Sequence, residues 1–123
     1  MDYKQGQVYK TLEGIITDAG IKITYDSVPD DSIDGAIWAR ADTDADEILM
    51  PSESEAFPDE ETACLILGHE AGHILSRLDS PDTPSERRKN EAVCDLIGYY
   101  LHELAVRTVV HQRELAFFRA VNC

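Results

Sequence analysis

Apolar residues recur at helical spacing near the start of the chain. Val8, Leu12, Ile15, Ile16 and Ala19 predict a first helix over residues 3–19. Gly20 is its stop signal. The period then shortens. "IKITY", 21–25, alternates apolar and polar residues and is rich in β-branched types, which predicts a strand. "DSVPDDSIDG" is a polar, turn-rich link. "AIWAR", 36–40, and "EILMP", 47–51, read as two further short strands, joined through "ADTDAD" into an antiparallel hairpin and closed by Pro51. "SESEAFPDE" follows as an acidic loop.

Helical spacing then returns. Ala63, Ile66, Leu67, Ile74 and Leu78 supply the apolar positions of a helix that starts near Pro58 or Asp59 and runs to about Arg77. Proline and acidic residues in its first turn suit the positive end of the helix dipole. "DSPDTPS" breaks it. A third helix starts near Ser85, the expected N-cap, and runs through "ERRKNEAVCDLIGYYLHELAVR", with a continuation, kinked or straight, to Phe118. The order α, β, β, β, α, α indicates an α+β fold. No repeat or linker divides the 123 residues, so 1–123 reads as one domain.

Composition narrows the function classes. A domain of this size buries a core without disulfides or a structural metal. The three cysteines, Cys64, Cys94 and Cys123, are odd in number and widely spaced, which points to a reducing, cytoplasmic setting. The polar start "MDYKQGQVYK" is no signal peptide, and no apolar run has the length of a membrane span. The net charge is −13, and residues 26–61 hold thirteen acidic residues against one basic residue, Arg40. Such a surface repels phosphate backbones, so direct nucleic-acid binding is not expected.

One stretch carries chemistry: "LGHEAGHIL", residues 67–75. Residues four apart on an α-helix share a face, so His69 and His73 can direct imidazole nitrogens at one metal ion. Glu70, turned by about 100°, reaches beside that point, where a general base would stand. Gly68 and Gly72 are poor helix formers, each costing roughly 1 kcal/mol against alanine, so a close neighbour is expected along their side of the helix. Two histidines alone are as consistent with a hydrogen-bonded core helix as with zinc, since a catalytic zinc usually takes three protein ligands. "KNEAVCDLIGYYL" supplies the third. Glu91 and Asp95 lie four apart, and an antiparallel third helix brings Glu91 opposite His69 and His73. Asp95, just before the apolar run, is expected near the core as a partner for the second ring nitrogen of one histidine.

With those residues placed, "HEAGH" followed by "NEAVCD" resembles the gluzincin metallopeptidases, and the compact layout is closest to the ImmA/IrrE family of small zinc metallopeptidases. The likeness spans about residues 5–101 in order of elements, with "HEAGH" and "NEA" its specific parts. The Asp95 spacing is more gluzincin-like than is typical of the ImmA/IrrE group. The resemblance implies Zn2+ held by His69, His73 and Glu91, with Glu70 as catalytic base in an intracellular endopeptidase. The implied substrate is a protein or peptide, often a helix-turn-helix repressor. A different class of function is a zinc-bound but non-proteolytic regulatory module, its acidic face turned to a basic protein.

Other features stay in the background. Asp42, Asp44, Asp46 and Glu53 imitate a calcium loop, but its obligatory glycine is replaced by Glu47 and Pro51 intrudes, so an acidic hairpin is expected. Strand 47–51 precedes the histidine helix and is expected at a sheet edge, where a substrate strand could add. Cys64 and Cys94 read as buried structural thiols. Tyr99, Tyr100, His102 and His111 read as core or surface residues away from the site.

Overall fold

Gly6 is where the first helix departs from a single run. The computed structural model of the chain, which describes residues 2–27, 39–77 and 83–122, has a 3-10 turn at Tyr3–Gln5 followed by helix α1, Gln7–Asp18. Gly6 between them is extended and has no side chain to cap α1. A carboxylate from elsewhere does so: Tyr9 N donates to Glu60 Oε1 at 2.9 Å. A Cβ on Gly6 would collide with that same carboxylate, so the break in the helix makes room for its cap.

Strands β1 (Lys22–Asp26), β2 (Arg40–Asp42) and β3 (Glu47–Pro51) form one mixed sheet in the order β1-β3-β2. β1 runs parallel to β3, and β2 antiparallel to it. The predicted hairpin is present, but its first strand is shifted. The described part of 36–40 joins the sheet only at Arg40, the strand extends to Asp42, and residues 36–38 lie outside the described residues. The cause is the turn. Asp42 Oδ1 accepts from the backbone N–H of Asp44 and of Ala45, both at 3.1 Å, which fixes a short reversal at 43–46 and carries pairing up to Asp42. This carboxylate is therefore engaged in an acidic hairpin. β3 is the central strand, not an edge, because β1 pairs along its other side. Ile48 and Met50 are accordingly fully buried.

Helix α2 spans Glu60–Ser76 and starts on Asp59, whose carboxylate accepts from Thr62 N at 2.7 Å. It ends at Arg77, which takes a left-handed conformation and donates to Asp46 Oδ1 at 2.7 Å, tying the helix end to the hairpin turn. Leu78 lies outside the described residues. Helix α3 runs unbroken from Pro84 to Asn122, 39 residues, or roughly 58 Å at 1.5 Å per residue. Its cap is Thr83, not Ser85. Thr83 Oγ1 accepts from Glu86 N at 3.1 Å, and Pro84 occupies the first helical position, where its missing N–H costs nothing. The core gathers Tyr9, Leu12 and Ile16 of α1, Ile48 and Met50 of β3, and Leu67 and Ile74 of α2. α2 meets α3 more extensively than any other pair of elements meets.

Candidate metal centre

The glycines set the distance between the two helices. A Cβ on Gly68 would stand 2.8 Å from Gly98 Cα, and one on Gly72 would stand 2.9 Å from Cys94 Cα. A Cβ on Gly98 would stand 2.9 Å from the His69 backbone nitrogen. Real Cβ atoms do not tolerate such approaches, so α2 and α3 touch backbone to backbone along Gly68–Gly72 and Cys94–Gly98. The close neighbour expected from the two glycines is thus α3. Gly98 is the matching member on that helix; its position four after Cys94, echoing Gly68 and Gly72, is the signal that marks it.

Such close contact leaves the long side chains beside the seam facing one another. His69 Nε2 lies 2.9 Å from Glu91 Oε2 and 3.2 Å from His73 Nε2, and His73 Nε2 lies 3.6 Å from Glu91 Oε1. His69, His73 and Glu91 are the group among the described residues whose donor atoms converge as a metal would require. Ligands about 2.0–2.1 Å from a tetrahedral zinc stand about 3.3 Å from one another, and the three separations bracket that value.

The proton inventory agrees with this fit. His69 Nδ1 lies 2.7 Å from Asp95 Oδ1, so the tautomer with its proton on Nδ1 donates to that carboxylate and carries its lone pair on Nε2, toward Glu91 and His73. Burial holds the His73 imidazole below its ordinary pKa, against the opposing pull of Glu91, which favours the neutral, lone-pair form. Cys94 Sγ sits 3.4 Å from His73 Nδ1, behind the ring and away from the converging donors. Burial pushes its thiol up to about 11, so it is a neutral backing group for His73. Two lone pairs and a carboxylate within 3.6 Å repel one another unless a cation or a proton lies among them.

The remaining candidates divide clearly. Glu70 is half-buried, and burial pushes its carboxyl up to about 7, the His69 field lowering it somewhat and the Glu91 charge adding to it. Asp95 is not near the core: its side chain is 61% exposed, because it lies beside the α2–α3 seam and not in it. Glu91 is half exposed as well. Cys64 is fully buried, while His102 lines a separate cavity of about 250 Å³ with Val8, Glu60, Glu61 and Cys64. Tyr99, Tyr100 and His111 are exposed.

The helices of the described residues include none long and apolar enough to cross a membrane. No protein-family model, curated protein or solved structure matches this chain.

Proposed function

We propose that the chain is a zinc-dependent endopeptidase that uses Glu70 as its general base. The observation that carries this reading is the convergence of His69, His73 and Glu91 donor atoms at 2.9, 3.2 and 3.6 Å, beside a half-buried carboxyl pushed up to about 7. A zinc ion held by these three donors would supply Lewis acidity, acidifying water and polarising a scissile carbonyl.

The chain's own residues do the rest. Asp95 holds the His69 ring in one tautomer and one orientation. Cys94 backs the His73 ring on the opposite side. Glu70 takes a proton from the attacking water and delivers it to the leaving amine nitrogen. A group that titrates near neutrality is suited to both halves of that exchange. Because β3 is central, an extended substrate would be received at β2, which is an edge strand among the described residues and packs beside α2. The likeness of "HEAGH" and "NEAVCD" to gluzincins and to the ImmA/IrrE family supports an intracellular regulatory protein, such as a repressor, as the substrate class.

The deciding experiment is metal analysis together with cleavage of candidate proteins, wild type against Glu70→Gln. One zinc per chain in both, with cleavage only in the wild type, is the expected result. A wild type that neither contains zinc nor takes it up on reconstitution overturns the proposal. Zinc in both with cleavage in neither identifies a zinc-bound regulatory module instead.

A further inference from the structure

Helix α3 has two apolar faces, and the fold uses only one. Cys94, Leu101, Ala105 and Val109 are buried and, with Gly98, repeat at spacings of three and four residues along the side that meets the domain. At 100° per residue, the opposite side of the same helix carries a second ladder. Its positions are Leu96, Tyr100, Glu103, Arg107, Val110, Glu114, Phe117 and Val121, alternating steps of four and three without a slip. That spacing is the seam of a two-helix coiled coil. Its apolar members are open to solvent: Leu96 70%, Tyr100 67%, Phe117 72% and Val121 64% exposed. Beyond Val109, every α3 residue whose side chain is described is exposed, Arg113 reaching back to Gln7 Oε1 at 2.6 Å. About four turns of helix thus extend with no packed face among the described side chains, and such a segment has little stability of its own.

We propose that this seam joins two copies of the chain as an antiparallel pair of α3 helices. Three observations select a second copy over another partner. First, the central charges of the seam are self-complementary, while Glu114 falls opposite Leu96. A two-fold axis midway between Glu103 and Arg107 sets each copy's Glu103 opposite the other's Arg107, and Tyr100 opposite Val110. A parallel pair would instead oppose Glu103 to Glu103 and Arg107 to Arg107. In the single chain these two side chains already pair, with Arg107 Nε 2.9 Å from Glu103 Oε1, so both sit on the seam surface ready to exchange partners.

Second, the charge of the whole chain permits it. α3 holds six basic and five acidic residues, whereas the rest of the chain holds five basic and nineteen acidic. Two copies meeting through α3 meet where the chain is near neutral, away from most of its acidic excess. Third, the area is sufficient. With about 150–250 Å² for an aromatic side chain and somewhat less for Leu or Val, the exposed apolar groups on and beside the seam offer roughly 700 Å² per copy. A standard interface takes about 800 Å² per partner. The same axis carries the other copy's Phe117 and Val121 alongside Val93 and Lys89, within a turn of Glu91, so each metal centre would be flanked by its neighbour's helix end.

Sedimentation of the full chain over a concentration series tests this, with circular dichroism confirming that each variant keeps its helix content. The wild type is expected as a dimer at tens of micromolar, and Tyr100→Glu as a monomer. Glu103→Arg and Arg107→Glu each weaken the dimer at least tenfold, while the double exchange restores it. All three positions are exposed and on the seam, so loss of folding does not imitate the result. A wild type that stays monomeric at 100 μM overturns the proposal. So does a dimer indifferent to Tyr100→Glu, or a double exchange that fails to rescue.

Discussion

Helices α2 and α3 both supply the candidate metal centre, His69 and His73 from the first and Glu91 from the second, but stand in opposite relation to solvent. α2 is enclosed: Ala63, Leu67, Ala71 and Ile74 are buried among α1, the sheet and α3. α3 is more than twice as long and is covered along one strip only. The carboxylates differ accordingly. Glu70 on α2 loses much of its water, which pushes its carboxyl up to about 7, whereas Glu91 and Asp95 on α3 keep half or more of their exposure. Under the proposed function, a site between one drier wall and one wet wall would have a base that exchanges protons near neutrality and ligands that a metal or substrate reaches from solvent. The same glycine seam that makes α3 a precise wall also leaves its far side uncovered.

Three variants, in four tests, bear on that contrast, taken from the largest expected effect to the smallest. Glu70→Gln removes the dry-wall base. Hydrolysis by the zinc-loaded protein should fall by about 10²- to 10⁴-fold with zinc content unchanged, as read from single-turnover cleavage and metal analysis. Gly98→Val forces the two walls apart, since its Cβ would meet the His69 backbone at 2.9 Å. A loss of about 3 kcal/mol in urea unfolding is expected, with weakened zinc binding, because neither backbone can yield.

The third test uses pH on metal-free protein. Glu70 has a folded pKa of about 7 against an ordinary value of 4.5. The folded state therefore favours the protonated form, and this advantage is complete below about pH 4.5 and lost as pH rises through about 7. Glu70→Gln should be more stable than the wild type by roughly 2–3 kcal/mol at pH 8, with the difference gone by pH 4. Equal stability at both pH values would mean that Glu70 is not in a dry environment. Last, Asp95→Asn on the wet wall should lower zinc affinity by about 10- to 100-fold while leaving urea stability of the metal-free protein nearly unchanged, since the side chain is exposed and acts by orienting the His69 ring.

The order of elements was legible in the residues, as was the pairing of the hairpin. Both follow from local period and turn chemistry, which neighbouring residues set among themselves. The four-residue spacings of His69 with His73 and of Glu91 with Asp95 also follow from helix geometry alone. Local pattern and tertiary structure diverge where a distant group intervenes. Gly6 interrupts the first helix because Glu60, 54 residues later, caps α1 through the space a Cβ would fill. β3 became central because β1, far away in sequence, pairs along its open side. Asp95 turned to solvent because Gly98 and Cys94, not Asp95, occupy the seam.

The sequence by itself determined the periodicity of each helix and strand, and the presence of two histidines and two carboxylates at one-turn spacing. Local backbone geometry requires nothing more. Only the tertiary structure decided that these pairs face one another, that Glu70 is half-buried while Glu91 and Asp95 are exposed, and that one apolar face of α3 is left over. Those outcomes depend on which surfaces lose their water when α2 and α3 touch at Gly68, Gly72 and Gly98, and burial of that kind is a property of two segments meeting, which neither carries alone.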